Sequence, residues 1–165
     1  LIFKEYTLMK ISGWVLFAAL SGSVYNFGAL AHDGASGAVK QRMEAMKTIG
    51  RSMKGLAAMM SGKVFYEPVK THALAQTIKI YGSTNLTKLF PKESLDGPTN
   101  ALPAIWSDWR EFKGLSDQLS KNAGDLVRMT SHERGNNTER YIVAAAFKRL
   151  AKTCSECHKK FRKKK

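Results

Sequence analysis

Near the C-terminus stands the feature that most constrains this chain: Cys154-Ser-Glu-Cys157-His158. The two thiols sit three residues apart on an apparent helix, so they share a face, and a histidine follows at once. That spacing is the signature of covalent haem attachment. Each thiol adds to one vinyl group on the same edge of the porphyrin, and the histidine one residue later reaches the iron. Covalent attachment also prevents loss of the cofactor by dilution. Two cysteines in an exported chain ordinarily read as a disulfide, but the adjacent histidine favours haem. A thioredoxin-like pair expects a strand–helix setting, which is absent. A zinc site needs further ligands, and His32, His72 and His132 are scattered with no second cysteine pair. The expected cofactor is one covalent haem c, with thioethers to Cys154 and Cys157 and His158 as an axial ligand of the iron.

Haem attachment of this kind takes place outside the bacterial cytoplasmic membrane, and the N-terminus agrees with export. Met9-Lys10 precedes an apolar run, Ile11 to Val24, which leads into Ala29-Leu30-Ala31. That is a positive n-region, an h-region of signal length and a small-x-small cleavage site. Residues 1–8 read as sequence upstream of the native start, because Leu1 is no ordinary initiator. Residues 9–31 are then a signal peptide, and 32–165 the mature single domain, located in the periplasm. A retained anchor is the competing reading, since Ile11 to Ala31 is just long enough to span a membrane. Gly, Ser and Asn26 dilute its second half, so no stable span is expected after cleavage.

The whole chain carries a formal charge of +14. Loss of Lys4, Lys10 and Glu5 with the leader leaves the mature chain at +13. Such a surface steers acidic partners, and an exported protein rarely meets nucleic acid, so acidic redox proteins are the expected partners. The tail from Lys159 to Lys165 reads first as a solvated helix end, where cations are favourable.

Four helical stretches are expected, and no convincing strand. In the first, Val39, Met43, Met46, Gly50, Met53, Ala57 and Met60 alternate by fours and threes, with Ser36 as N-cap and Ser61-Gly62 as the stop. The second runs from about Val69 to Leu89 on Leu74, Ile78 and Tyr81, weakened at Gly82-Ser83 and ended by Phe90-Pro91. An irregular stretch from Lys92 to Leu102 contains the turn Asp96-Gly97-Pro98. Pro103 opens the third helix, whose apolar face is Ile105 or Trp106, Trp109, Phe112, Leu115, Leu119, Leu126 and Met129. Gly135-Asn136-Asn137 breaks it. Thr138 caps the fourth, with Glu139 in its first turn and Tyr141, Ala144, Ala145, Phe147, Leu150, Cys154 and Phe161 along its seam. The fold class is all-α: an antiparallel four-helix bundle with haem bound covalently on its last helix.

With the attachment motif at the C-terminal end of such a pattern, the sequence resembles the cytochrome c′ family over about Val39 to Arg162. The pieces that carry the likeness are Arg42-Met43-Glu44-Ala45-Met46-Lys47, Leu89-Phe90-Pro91, Ile105-Trp106-Ser107-Asp108, and Cys154 to His158 followed by Phe161-Arg162. The resemblance implies that Arg42 lies near the haem propionates, that Met46 covers the distal face of the iron, and that Arg162 lies near the proximal histidine. It also implies that Trp106 packs near the haem pocket, although an ordinary core aromatic fits as well. A homodimer packed through the first two helices is a further implication.

Function then turns on Met46. In one branch of the family an apolar side chain blocks the sixth site of a five-coordinate iron that binds NO or CO. In another a methionine ligates, giving a low-spin electron carrier with a raised potential. Met46-Lys47-x-x-Gly50-Arg51-x-Met53 resembles the second branch, whereas Arg42 is more usual in the first. The reading taken forward is a periplasmic monohaem c-type cytochrome for single-electron transfer. The alternative is a five-coordinate protein that binds or scavenges NO or CO. An enzyme such as a peroxidase is not expected, because no distal His–Arg acid–base pair is placed for it.

Overall fold

Helical periodicity along the chain resolves into four long helices and two short ones in the computed structural model, which describes residues 37–92, 94–95, 97–131 and 140–164. They are α1 (Gly37–Met60), α2 (Pro68–Tyr81), α3 (Thr84–Thr87), α4 (Ala104–Ser107), α5 (Trp109–Met129) and α6 (Arg140–Phe161). The expected leader, the Ser36 cap, Asp96 of the turn, the break at 135–137, and Thr138 and Glu139 lie outside the described residues. No described helix is long and apolar enough to cross a membrane.

The long helices run alternately up and down, as cross-helix pairs show. Thr71 of α2 donates to Met59 Sδ of α1 at 3.7 Å, and Leu74 packs over Gly55 one turn earlier on α1. Between α2 and α5, Thr130 meets His72 while Ser120 Oγ donates to the Lys79 carbonyl, so rising numbers on one helix meet falling numbers on the other. Asn122 pairs with Thr153, and Phe112 with Phe161, which sets α6 against α5. Arg140 Nη1 donates to the Met60 carbonyl at 2.8 Å and closes the ring from α6 to α1. The core between them holds Ile49, Leu56, Met59, Ile78, Ile105, Phe112, Leu126, Val143 and Leu150. Full burial of each such side chain contributes about 1.5–3 kcal/mol.

The buried faces differ from the expected seams by about one residue. On α1 the buried set is Val39, Arg42, Ala45, Ile49, Ser52, Leu56, Met59 and Met60. Met43, Met46 and Met53 are half-buried flanks, and Gly50 and Ala57 are exposed. Ile49 and Leu56 offer more apolar surface than Gly50 and Ala57 one position later, so burial rotates the helix by about 100°. On α6, Val143, Ala146, Leu150, Thr153 and Phe161 are buried, while Tyr141 and Ala145 are exposed.

Two expected helices are also interrupted. α2 stops at Tyr81 rather than continuing to Leu89, because Ser83 adopts φ 55° and ψ −135°. That region is costly for any residue with a β-carbon. It is held by a two-way clasp on α5: Ser83 N–H donates to the Ser116 carbonyl at 2.9 Å, Ser116 Oγ donates back to the Ser83 carbonyl, and Ser83 Oγ donates to Asp117 Oδ1 at 2.7 Å. The third helix breaks at Asp108 (φ −112°, ψ 39°), which leaves Trp109 exposed and Ile105 buried on α4.

The clasp carries a pH signature. Hydrogen bonds from Lys113 and Ser83 hold the Asp117 carboxyl below its ordinary value of 3.8. A depressed folded pKa means stability that is present above the unfolded value and lost as pH falls through the folded one. Acid melts of wild type and Asp117→Asn should therefore differ at neutral pH and converge as the pH drops below about 4. Curves separated by a constant interval across that range would contradict the linkage.

Candidate haem site

The last turns of α6 carry the motif, and three neighbouring features fix where they lie. One residue before Cys154, the buried Thr153 Oγ1 accepts a hydrogen bond from Asn122 Nδ2 at 3.0 Å and donates to the Arg149 carbonyl at 3.2 Å. A buried polar pair of this kind fixes the register of α6 against α5. Beyond the motif, Leu102 N–H donates to the Phe161 carbonyl at 3.0 Å, and Lys163 N–H to the Asn100 carbonyl at 2.8 Å. Lys160 Nζ pairs with Asp108 at 3.1 Å and with Glu111. The helix end is thus strapped to the α4–α5 segment on two sides.

Cys154 and Cys157 are half-buried free thiols packed at the edge of the core. Burial pushes both upward, Cys157 to about 11 with a further contribution from Cys154. Both are therefore protonated thiols at neutral pH. His158 is exposed as a residue, yet partial burial of its ring, and then the charge of Arg162, lower its pKa. That favours the neutral imidazole, the form with a nitrogen lone pair free for a metal. Arg162 itself is exposed and acts on His158 through its charge.

From Phe161 a run of aromatic rings crosses the bundle. Phe161 meets Phe112 edge-on at 5.4 Å, Phe112 meets Phe90 at 4.8 Å, and the Arg42 guanidinium lies over Phe90 with 4.8 Å to the ring centroid. Arg42 on α1 is only 4% exposed. Its Nη1 donates to Ser94 Oγ at 3.2 Å and its Nη2 to the Ser94 carbonyl, while Nε is buried with no hydrogen-bond partner. Burial pulls its pKa below the ordinary arginine value. A buried guanidinium with one unmatched N–H suits a carboxylate, which is what a haem propionate presents.

Met46 is half-buried on the flank of α1, about one turn beyond Arg42. Gly50, one turn further, faces open space: a β-carbon there would meet nothing within 4 Å. Trp106 Nε1 donates to the Phe90 carbonyl at 3.2 Å, which ties α4 to the loop under Arg42. His72 lies at the Thr130 end of the bundle, and His32 and His132 are outside the described residues. Among the described residues no three His, Cys, Asp or Glu side chains converge as for a metal ion. Half-buried thiols, a neutral-leaning imidazole and an arginine with one unmatched donor fit a covalently held haem. Ser94 and the Asn122–Thr153 pair were not marked by any local motif, and Phe112 was marked only by helical periodicity. Phe90 was marked as a helix end and within Leu89-Phe90-Pro91, without its contact to Arg42.

Comparisons with known proteins point the same way. The cytochrome c′ family model matches residues 37–162. Cytochrome c-556 of Agrobacterium fabrum is 33% identical over 163 residues, covering 96% of this chain and 97% of that one. Cytochrome c′ of Rhodopseudomonas palustris is 31% identical over 129 residues, covering 77% of this chain and 82% of that one. A solved structure of cytochrome c′ from Rhodopseudomonas palustris superposes with a TM-score of 0.68 at 28% identity, over 79% of this chain and 99% of that chain.

Proposed function

This chain belongs to the cytochrome c′ family and binds covalently attached haem c, and on that premise we propose that it is a periplasmic carrier of single electrons rather than an enzyme. When bound, the haem supplies an iron that cycles between Fe(III) and Fe(II). Cys154 and Cys157 would form the thioethers, and His158 and Met46 would supply the protein ligands to the iron. Arg42 would hold a propionate, Trp106 supports the pocket through Phe90, and Arg162 lies close enough to His158 for its charge to add to burial in favouring the neutral imidazole. Residues 9–31 direct export and are removed.

The observation that carries this reading is the exposure at the motif. The thiols are half-buried and His158 is exposed, beside the exposed cations Lys159, Arg162, Lys163 and Lys164. A haem edge held there meets the surface within a positive field, as electron exchange with an acidic partner requires. Association should weaken as salt screens that field. Gly55 is occupied by Leu74 of the same chain, so a homodimer through α1 and α2 would use other residues.

The second reading, a five-coordinate iron that binds NO or CO, draws on Arg42, which the resemblance associates with that branch of the family. Absorption spectra with and without CO separate the two. The carrier reading expects low-spin spectra that CO leaves unchanged, with Met46→Ala converting the iron to a high-spin, CO-binding form. A high-spin ferric wild type that Met46→Ala does not alter would sink methionine ligation and favour the gas-binding role.

A further inference from the structure

Arg42 is held from three sides by residues far away in sequence. Its two terminal nitrogens are both engaged by Ser94, one on the hydroxyl and one on the carbonyl. The hydroxyl can accept because its own proton goes elsewhere: Ser94 Oγ donates to the Pro91 carbonyl at 2.7 Å. The flat face of the guanidinium rests on Phe90, 4.8 Å from the ring centroid. Phe90 is in turn anchored by Trp106 Nε1 through its carbonyl at 3.2 Å. The plane of a guanidinium held at both Nη atoms and over one face is fixed, and so is the direction of its Nε–H. That donor is the buried one without a partner.

We propose that Ser94 is a positioning residue for the haem: it holds Arg42 so that the Nε–H is presented to a propionate carboxylate. The proposal rests on the covalent-haem reading above. Trp106 then acts at one remove, as the anchor of the loop that carries Phe90 and Ser94. A fixed cation beside a propionate keeps that carboxyl ionised and favours the reduced iron, so a displaced one lowers the potential and lets the propionate take up a proton nearer neutral pH.

The test is the midpoint potential of the holoprotein as a function of pH, in wild type, Ser94→Ala, Ser94→Thr, Arg42→Gln and Arg42→Lys. Arg42→Gln should lower the potential, with a roughly two- to tenfold fall in the ratio of reduced to oxidised protein at the wild-type midpoint. Its pH-dependent limb should move upward. Ser94→Ala should shift both in the same direction by less, and Ser94→Thr, which keeps the hydroxyl, should restore them. Arg42→Lys keeps the charge but lacks the fork, and should reproduce most of the Arg42→Gln shift. Wild-type potential and pH profile in Ser94→Ala would overturn the proposal, even if the melting temperature fell. So would a wild-type profile in Arg42→Lys. A wild-type chain without covalent haem, seen as no haem stain on a denaturing gel, would instead overturn the underlying reading and this proposal with it.

Discussion

Replacing Cys154 and Cys157 together by alanine should abolish covalent haem completely while leaving the bundle folded. The expectation rests on where the two side chains lie. Both are half-buried at the margin of the core rather than inside it, so truncation removes little packed surface. The cost of each is about 1 kcal/mol or less, small beside the several kcal/mol of a typical domain. The register of α6 is fixed by Thr153 and Asn122, and its end by Leu102, Asn100, Asp108 and Glu111, none of which is touched. Haem that survives a denaturing gel should fall to zero, with helical circular dichroism close to wild type. Either single variant should retain haem through one thioether, with an altered reduced spectrum. Haem that stays covalently bound in the double variant would refute attachment at this motif. Collapse of the helical signal would refute the marginal placement of the two thiols.

Gly82→Ala should be strongly destabilising. Here α2 ends against α5 with no room for a side chain: a β-carbon would lie 2.8 Å from Ser120 Cβ, 2.9 Å from its nitrogen and 3.0 Å from its Cα. Two of those three atoms are backbone, so no rotamer change relieves the clash. The helices must separate, or the clasp of Ser83 on Ser116 and Asp117 must open. Overpacking of this kind costs about 1–3 kcal/mol. Gly50→Ala provides the contrast, because its methyl would meet nothing within 4 Å. In a helix interior that change should stabilise the haem-free chain by up to about 1 kcal/mol. Urea melts of the two variants check the pair, and a neutral Gly82→Ala would show that α5 gives way more readily than its backbone contact implies.

What was legible in the sequence is what depends on near neighbours along the chain. The spacing of Cys154, Cys157 and His158 is local, and its chemistry needs only one helix turn. Four amphipathic stretches and their breakers are local too, so the bundle followed from periodicity, and the family from short motifs such as Arg42 to Lys47. Tertiary packing decided which side of each helix went inward. On α1 the repeat of Met43, Met46, Gly50 and Met53 competes with that of Arg42, Ile49 and Leu56 one position away. Only the neighbouring helices reward the second, because Ile49 and Leu56 fill the core where Gly50 cannot. Packing also ended α2 early, since the strain at Ser83 is tolerated only with α5 there to hold it. Arg42 shows the division most clearly. Its place on the first helix was readable from periodicity, and a role beside the propionates was an expectation from the family resemblance. Its burial over Phe90 and its hold on Ser94, 52 positions away, were readable from neither. A hydrogen bond across that span leaves no periodic trace, and it exists only once the bundle has brought loop and helix together.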